Sequence, residues 1–346
     1  MSYEIGIDTL KLKSCGRLGH TEYCDHYELV RAVTGLDPLR DAKAWPLFND
    51  AWNVDFIWST YEGADGWGKG GRITDMGHAE FMEGGSDWRD SVTCPFKTVD
   101  EVFEFDAVKE YGLVNLNELT ADYEHQYQIG RAAYPNQVLT GGHYNTIVSG
   151  AIQAFGWDMF LTAAADQKRF TKVLDSIYQI TLNSVKAWAR TSIDVFIQHD
   201  DMVWSSGAFM HPDFYRGAIF PRYKLLWQIL HDAGKIVLFC SDGNFTQFVD
   251  DIAQAGADGF IFEPLTDLDY IIGKYGKTKV IMGSKVDCRT LTFGTAEQIK
   301  HEIDQTLKIA KDCPGFFFAV GNHLPSNIPV KNALYYYDYL SKYWSR

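Results

Sequence analysis

From about residue 137 to its end, the sequence alternates short apolar runs with longer segments of helical periodicity. "NQVLTGG", "DVFIQHDD", "KIVLFCSDGN", "GFIFEPL", "KVIMGSKVD" and "GFFFAVGNH" read as successive strands, each apolar almost throughout. Between them lie segments with apolar residues at helical spacing, among them "KRFTKVLDSIYQITLNSVKAWART" and "TAEQIKHEIDQTLKIAKD". Gly234 and Gly256 are placed to end helices, and Thr295 with Gln298 has the spacing of a capping box. Apolar strands alternating with helices imply a parallel sheet buried under helices. The number of units favours a (β/α)8 TIM barrel over an open sheet, and no GxGxxG follows a first strand to argue for a dinucleotide fold.

The reading is one domain over residues 1–346. Residues 1–135 form an irregular N-terminal part, rich in Gly and Trp, whose loops lie over the barrel mouth. Residues 136–346 carry the regular units. The net charge of −13 and the lack of a basic run argue against nucleic acid or an anionic membrane as partner. No apolar run approaches the ~20 residues of a membrane helix, and the N-terminus does not read as a secretory signal. Six cysteines without regular spacing do not form a disulfide framework, which places the chain in a reducing cytoplasm.

In parallel α/β folds the active site lies at the carboxyl ends of the strands. Six successive strand ends here carry polar groups: His143, Tyr144 and Asn145; His199, Asp200 and Asp201; Cys240, Ser241 and Asp242; Glu263; Asp287 and Cys288; Asn322 and His323. Each alone has an ordinary structural reading, as a cap, a turn or a buried thiol. Together at one barrel face they point to a site. Thiol, imidazole and carboxylate make a zinc ligand set, for which Cys240, Asp242 and His323 are the candidates. Metal-free acid–base chemistry by His199, Asp201, Glu263 and Asp287 is the other option. His143, Tyr144, Asp200, Trp204 and Asn322 are candidates for binding substrate. Trp52, Trp58, Tyr61, Trp67 and Trp204 are candidate aromatic walls.

The stretch "HDDMVWSSGAFMHPDFYRGAIFPRYKLLWQILHDAGKIVLFCSDGN" resembles the uroporphyrinogen decarboxylase-like superfamily, in particular its corrinoid-dependent methyltransferase branch. "AGADGFIFEPL", "FGTAEQIKHEI" and "GNHLPSNIPVKNALYYYDY" resemble the family's later units. "LVRAVTGLDP" and "GRITDMGHAEF" resemble its N-terminal segments. The resemblance implies a TIM barrel. The "RQAGRY" signature of true decarboxylases is absent. Registered on Gly243-Asn244, Cys240 and Asp242 take the places of the His and Cys that hold zinc in thiol-methylating relatives. Registered on Pro329 to Asn332, Asn322 takes the place of the last-strand Cys. The pattern is closer to ether- or amine-demethylating relatives, some of which hold zinc by two carboxylates and a His; Asp287, Glu302 and His323 have a similar spacing. The resemblance therefore implies a methyltransferase. It would move methyl from a methoxylated or methylated small molecule, aromatic ethers included, to Co(I) of a corrinoid. The corrinoid is expected on a partner protein, since the chain has no D-x-H-x-x-G motif. A decarboxylase of the same superfamily and a non-catalytic binding barrel are the alternatives, and a homo-oligomer is left open.

Overall fold

The computed structural model describes residues 2–61, 70–74, 80–81, 87–88 and 94–346. Trp67 and part of "GRITDMGHAEF" lie outside the described residues. The strands that build the core are β1 (Gly19–His20), β2 (Phe56–Ile57), β3 (Val138–Leu139), β4 (Gly141–His143), β5 (Val195–His199), β6 (Ile236–Ser241), β7 (Gly259–Phe262), β8 (Val280–Met282) and β9 (Phe316–Phe318). One parallel sheet runs in the order β1-β9-β8-β7-β6-β5-β4. β2 pairs with β3 in parallel, Phe56 opposite Val138, and a parallel bridge from Thr21 to Phe56 joins β2 to the chain just past β1. Only Thr140 separates β3 from β4, so the two act as one stave. The ring therefore closes with eight parallel staves, the expected (β/α)8 barrel. The N-terminal part supplies two of these staves as well as loops.

Strand alternation divides the apolar residues into two layers. Phe56, Val138, Val195, Ile197, Leu238, Cys240, Ile261, Val280, Met282 and Phe317 fill the barrel interior, with Leu10 of helix α1 (Ser2–Leu10) joining the same cluster. The alternate residues, among them Phe196, Phe239, Phe260, Ile281 and Phe316, pack outward against the helices. Each such burial contributes about 1.5–3 kcal/mol, so both layers stabilise the ring. Gly142 shows how tightly it closes: φ is +137°, and a Cβ there would lie 2.0 Å from the Ile197 carbonyl oxygen. Alanine at this position would force β4 away from β5.

The helices follow local chemistry. Helix α2 (Val148–Phe155) packs beside α3 (Gln167–Trp188), whose N-cap Asp166 accepts from Arg169 N–H. The segment after His211 is a short turn, a π-turn over Tyr215–Ile219, and α4 (Phe220–Asp232). Pro221 has no N–H to continue the α ladder, and the Phe220 N–H reaches back five residues to Tyr215. Before α5 (Ala296–Ala310), Thr295 and Gln298 form the reciprocal capping box. No helix among the described residues is long and apolar enough to cross a membrane.

Candidate active site

The end of β5 places two neighbouring aspartates in different surroundings. Val195, Ile197 and His199 face the interior, so Asp200 faces the helix layer. Its buried carboxylate accepts from the backbone N–H groups of Ile147 (3.0 Å), Val148 (3.0 Å) and Ser149 (2.7 Å), and from the Ser149 (2.8 Å) and Tyr223 (2.6 Å) hydroxyls. Asp200 thus holds the N-terminus of α2, where a negative charge is stabilised by the helix dipole. It does not reach the cavity at the mouth.

Asp201 turns the other way. Its Oδ2 accepts from the Tyr144 hydroxyl at 2.8 Å, and its Oδ1 accepts from the Asp242 backbone N–H at 2.8 Å and lies 3.2 Å from His199 Nε2. The Tyr144 ring meets the His199 ring edge-on, centroids 4.5 Å apart. Tyr144 therefore fixes both partners of the His199–Asp201 pair. Asp242 projects into the same space from the end of β6, where Leu238 and Cys240 set the inward parity.

These groups open on a cavity of about 140 Å³. Cys240, Ile261 and Met282, the top of the interior cluster, form its floor. Tyr23, Trp58 and Thr60, which follow β1 and β2, form one wall. Asp242 and Glu263 follow β6 and β7, three to four staves away, and line the facing side with His199, while Asn322 follows β9, next to β1. The Tyr23 and Trp58 rings stack at 6.0 Å, and the Trp58 indole N–H donates to Thr21 Oγ1. Glu263 is aimed by two donors, the Gly243 backbone N–H and the Asn322 amide, each at 2.8 Å. Gly243 is required here: φ is +78°, and a Cβ would lie 2.8 Å from the Val203 and Trp204 carbonyl oxygens.

Burial and mutual repulsion divide the carboxyls. Burial pushes the Asp201 carboxyl up, but the charge and hydrogen bond of His199, the Asp242 N–H and the Tyr144 hydroxyl outweigh it and hold Asp201 down at about 2. Asp242 has no such support. Burial, then Asp201, then Glu263 keep its carboxyl well above the usual range, so the two carboxyls of the pair are driven apart in acidity. Burial beside the same carboxylates keeps the Cys240 thiol protonated.

Among the described residues, one group of His, Cys, Asp or Glu brings three ligand atoms within 4.8 Å of one another: His199, Asp201 and Asp242. One imidazole and two carboxylates, open to a cavity, fit a zinc ion with three protein ligands and a free position. Of the sequence-derived metal candidates, Asp242 belongs to this group. Cys240 lies below it, in the cavity floor. His323 lies on the far side of Asn322, whose amide oxygen it contacts, with its ring edge-on to Tyr23.

The other candidates are distributed as follows. Asn322 and Glu263 line the cavity. Asp287 caps the helix Cys288–Phe293, accepting from Arg289 N–H at 2.8 Å and pairing with its guanidinium at 3.1 Å. Glu302 accepts from the Asp287 N–H and the Thr290 hydroxyl, and Asp287, Glu302 and His323 do not converge. His143 points outward, taking a hydrogen bond from the Trp188 indole at 3.0 Å. Trp204 is 45% exposed on a hairpin, packed against Trp157 and Phe209 rather than lining the cavity. Trp52 is core and Tyr61 packs on Tyr123 and Trp188. Tyr23, Thr60 and Gly283 line the cavity without having been singled out by sequence; the two-residue β1 before Tyr23 gives no strand signal.

A closed parallel barrel with an acid-lined mouth defines the class, and comparison with known proteins supplies the family. The uroporphyrinogen decarboxylase (URO-D) family model matches residues 152–343, and the chain belongs to that family. Among solved structures, a methyltransferase from Methanosarcina mazei superposes with a TM-score of 0.67 over 99% of both chains, at 16% identity. A GH53 catalytic domain from Ignisphaera aggregans gives 0.42 at 12% identity, covering 94% of this chain and 96% of its own. At 16% identity the match to the M. mazei protein is a likeness of fold. No curated protein matches the sequence.

Proposed function

We propose that this protein is the methyltransferase component of a corrinoid-dependent demethylating system. It takes a methyl group from a methoxylated or N-methylated small molecule and passes it to Co(I) of a corrinoid carried by a partner protein. The observation that carries this reading is the His199–Asp201–Asp242 group at one side of a small, partly aromatic cavity at the barrel mouth. Full-length likeness to the M. mazei methyltransferase supports it at the level of fold. A cytoplasmic setting, as expected from the sequence, goes with this activity.

Co(I) attacks the methyl carbon, and the bond from methyl to its heteroatom breaks with the electron pair staying on the heteroatom. An alkoxide or phenolate is a poor leaving group, so an ether needs its oxygen protonated or coordinated as it departs. Burial and the neighbouring Asp201 raise the pKa of the Asp242 carboxyl at the cavity wall, which suits it to donate a proton there, with His199 beside Asp201 as the neighbouring base. A divalent ion held by His199, Asp201 and Asp242 would instead supply Lewis acidity to the leaving oxygen. An ammonium donor departs as a neutral amine and requires neither. Trp58 and Tyr23 orient the donor and exclude water from one side.

The test is methylation of free or partner-bound cob(I)alamin, read as a visible spectral change with a panel of methoxyaromatics and methylamines. Methylcobalamin is expected from at least one donor. No methylcobalamin from any donor, with CO2 released from a porphyrinogen, would replace this reading by decarboxylation. Zinc content of purified variants tests the metal. Loss is expected in His199→Ala and full content in Cys240→Ala; the reverse result would move the metal to the thiol.

A further inference from the structure

We infer that the methyl donor is an ammonium cation, quaternary or protonated, rather than an ether bearing a carboxylate. The inference takes its chemistry from the methyltransferase reading, but its observations are the charge and layout of the cavity. Among the described residues, no Lys or Arg lines it. Asp242 and Glu263 do, with Asp201 beside them. The nearby guanidinium of Arg289 is paired with Asp287. An anionic donor would therefore bring its charge against Glu263 where, among the described residues, no Lys or Arg lines the cavity to answer it, which is the costly arrangement for buried ions.

The aromatic wall completes the arrangement. Trp58 and Tyr23 present a stacked aromatic pair, and an aromatic face attracts a cation through its ring quadrupole. The Trp58 N–H is used by Thr21, which fixes the indole plane. Glu263 follows β7, three staves from the Tyr23 stave and four from that of Trp58, and its two hydrogen bonds orient the carboxylate without cancelling its charge. Aromatic rings on one side and carboxylate on the other form a site for a methylated ammonium head.

The step balances without an acid. The C–N bond breaks, its electron pair remains on nitrogen and the amine leaves uncharged. The electron pair of Co(I) forms the bond to methyl, and cobalt becomes Co(III). No proton moves for a quaternary donor.

Calorimetric titration of the full chain tests this directly. Choline and its uncharged isostere 3,3-dimethyl-1-butanol have the same shape and differ in charge, and 3-methoxybenzoate supplies the anion. Choline is expected to bind at least about tenfold more tightly than the isostere, and methoxybenzoate not at all. Glu263→Gln should weaken choline about tenfold and leave the isostere within about twofold. Trp58→Ala should weaken choline by about fivefold, with Trp58→Phe restoring most of it. Equal affinity for choline and its isostere, or tighter binding of methoxybenzoate, would overturn the inference. The two readings fail separately. Choline binding without methylcobalamin from any donor leaves the cation site standing and removes the methyltransferase. Methylcobalamin from an ether, without cation binding, keeps the methyltransferase and removes the cation.

Discussion

The two ends of this barrel treat charge in opposite ways. At the amino ends of the strands, the buried Asp55 and the half-buried Asp258 each have a basic partner. Asp55 accepts both guanidinium nitrogens of Arg17, at 2.6 and 2.8 Å, and the His20 N–H at 2.9 Å. Asp258 lies 2.8 Å from His231 Nε2 and accepts from the Val237 N–H. Lys235 donates to the Thr191 and Ile193 carbonyls. At the carboxyl ends, Asp201 is held by the Asp242 N–H and the Tyr144 hydroxyl and Glu263 by the Gly243 N–H and the Asn322 amide, with Asp242 between them and His199 as the nearby base. One end answers its charges from within the protein. The other keeps negative charge that a substrate or an ion must answer, which is how barrels of this kind divide stability from chemistry.

The sharpest way to break this comparison is to remove one carboxylate from each end. Asp201→Ala should lower methyl transfer by about 1,000-fold, since it removes the partner of both His199 and Asp242. Its unfolding free energy should stay within about 1 kcal/mol of the parent, because the loss also relieves repulsion. Arg17→Ala should do the opposite. It leaves Asp55 buried and unpaired, at a cost of about 3–5 kcal/mol in urea unfolding, with methyl transfer per folded molecule within about twofold. If Asp201→Ala unfolded the protein, or Arg17→Ala left stability unchanged, the division between the ends would be wrong.

Asp200 refines the comparison, because it lies at the mouth but is bonded like a residue of the amino end. Asp200→Asn turns an amide against three backbone N–H groups that need an acceptor. It should cost about 2–3 kcal/mol by urea unfolding. Methyl transfer per folded molecule should fall far less than in Asp201→Ala. An equal fall in both variants would mean that the two aspartates act as one unit.

The difference between these neighbours was only half legible. Strand alternation carries from Val195 through His199, so Asp200 facing outward follows once the strand end is known, but Asp201 lies beyond the strand and its direction is set by Tyr144 and the Asp242 N–H. Asp242 and Glu263 were legible for the same reason, continuing the inward parity of Cys240 and Ile261. Asp287 was not, because four residues separate it from Met282 and the chain has already turned to start a helix. The long apolar strands made the barrel readable. β1 and β2, two residues each, carry no periodicity, so the wall formed by Tyr23 and Thr60 depended on pairing with distant strands. The convergence of His199 with Asp201 and Asp242, in place of Cys240 with His323, likewise depends on parity across two staves.

The smallest effect tests the amino end by pH. His231 has its pKa raised above the ordinary 6.5, first by its hydrogen bond to Asp258, with partial burial opposing. A raised folded-state value means that protonated His231 stabilises the fold. That contribution is complete below about pH 6.5 and is lost as pH rises through the folded-state pKa. Both side chains are partly exposed, at 31% and 39%, so solvent screening limits the effect to less than about 1 kcal/mol. The difference in stability between the parent and His231→Gln, followed by urea unfolding from pH 5.5 to 9, should shrink as pH rises, with methyl transfer unaffected. A difference that stayed constant across that range would mean that His231 meets Asp258 as a neutral ring. The amino end would then be satisfied there by hydrogen bonding alone, and the contrast in charge would rest on Arg17 and Asp55.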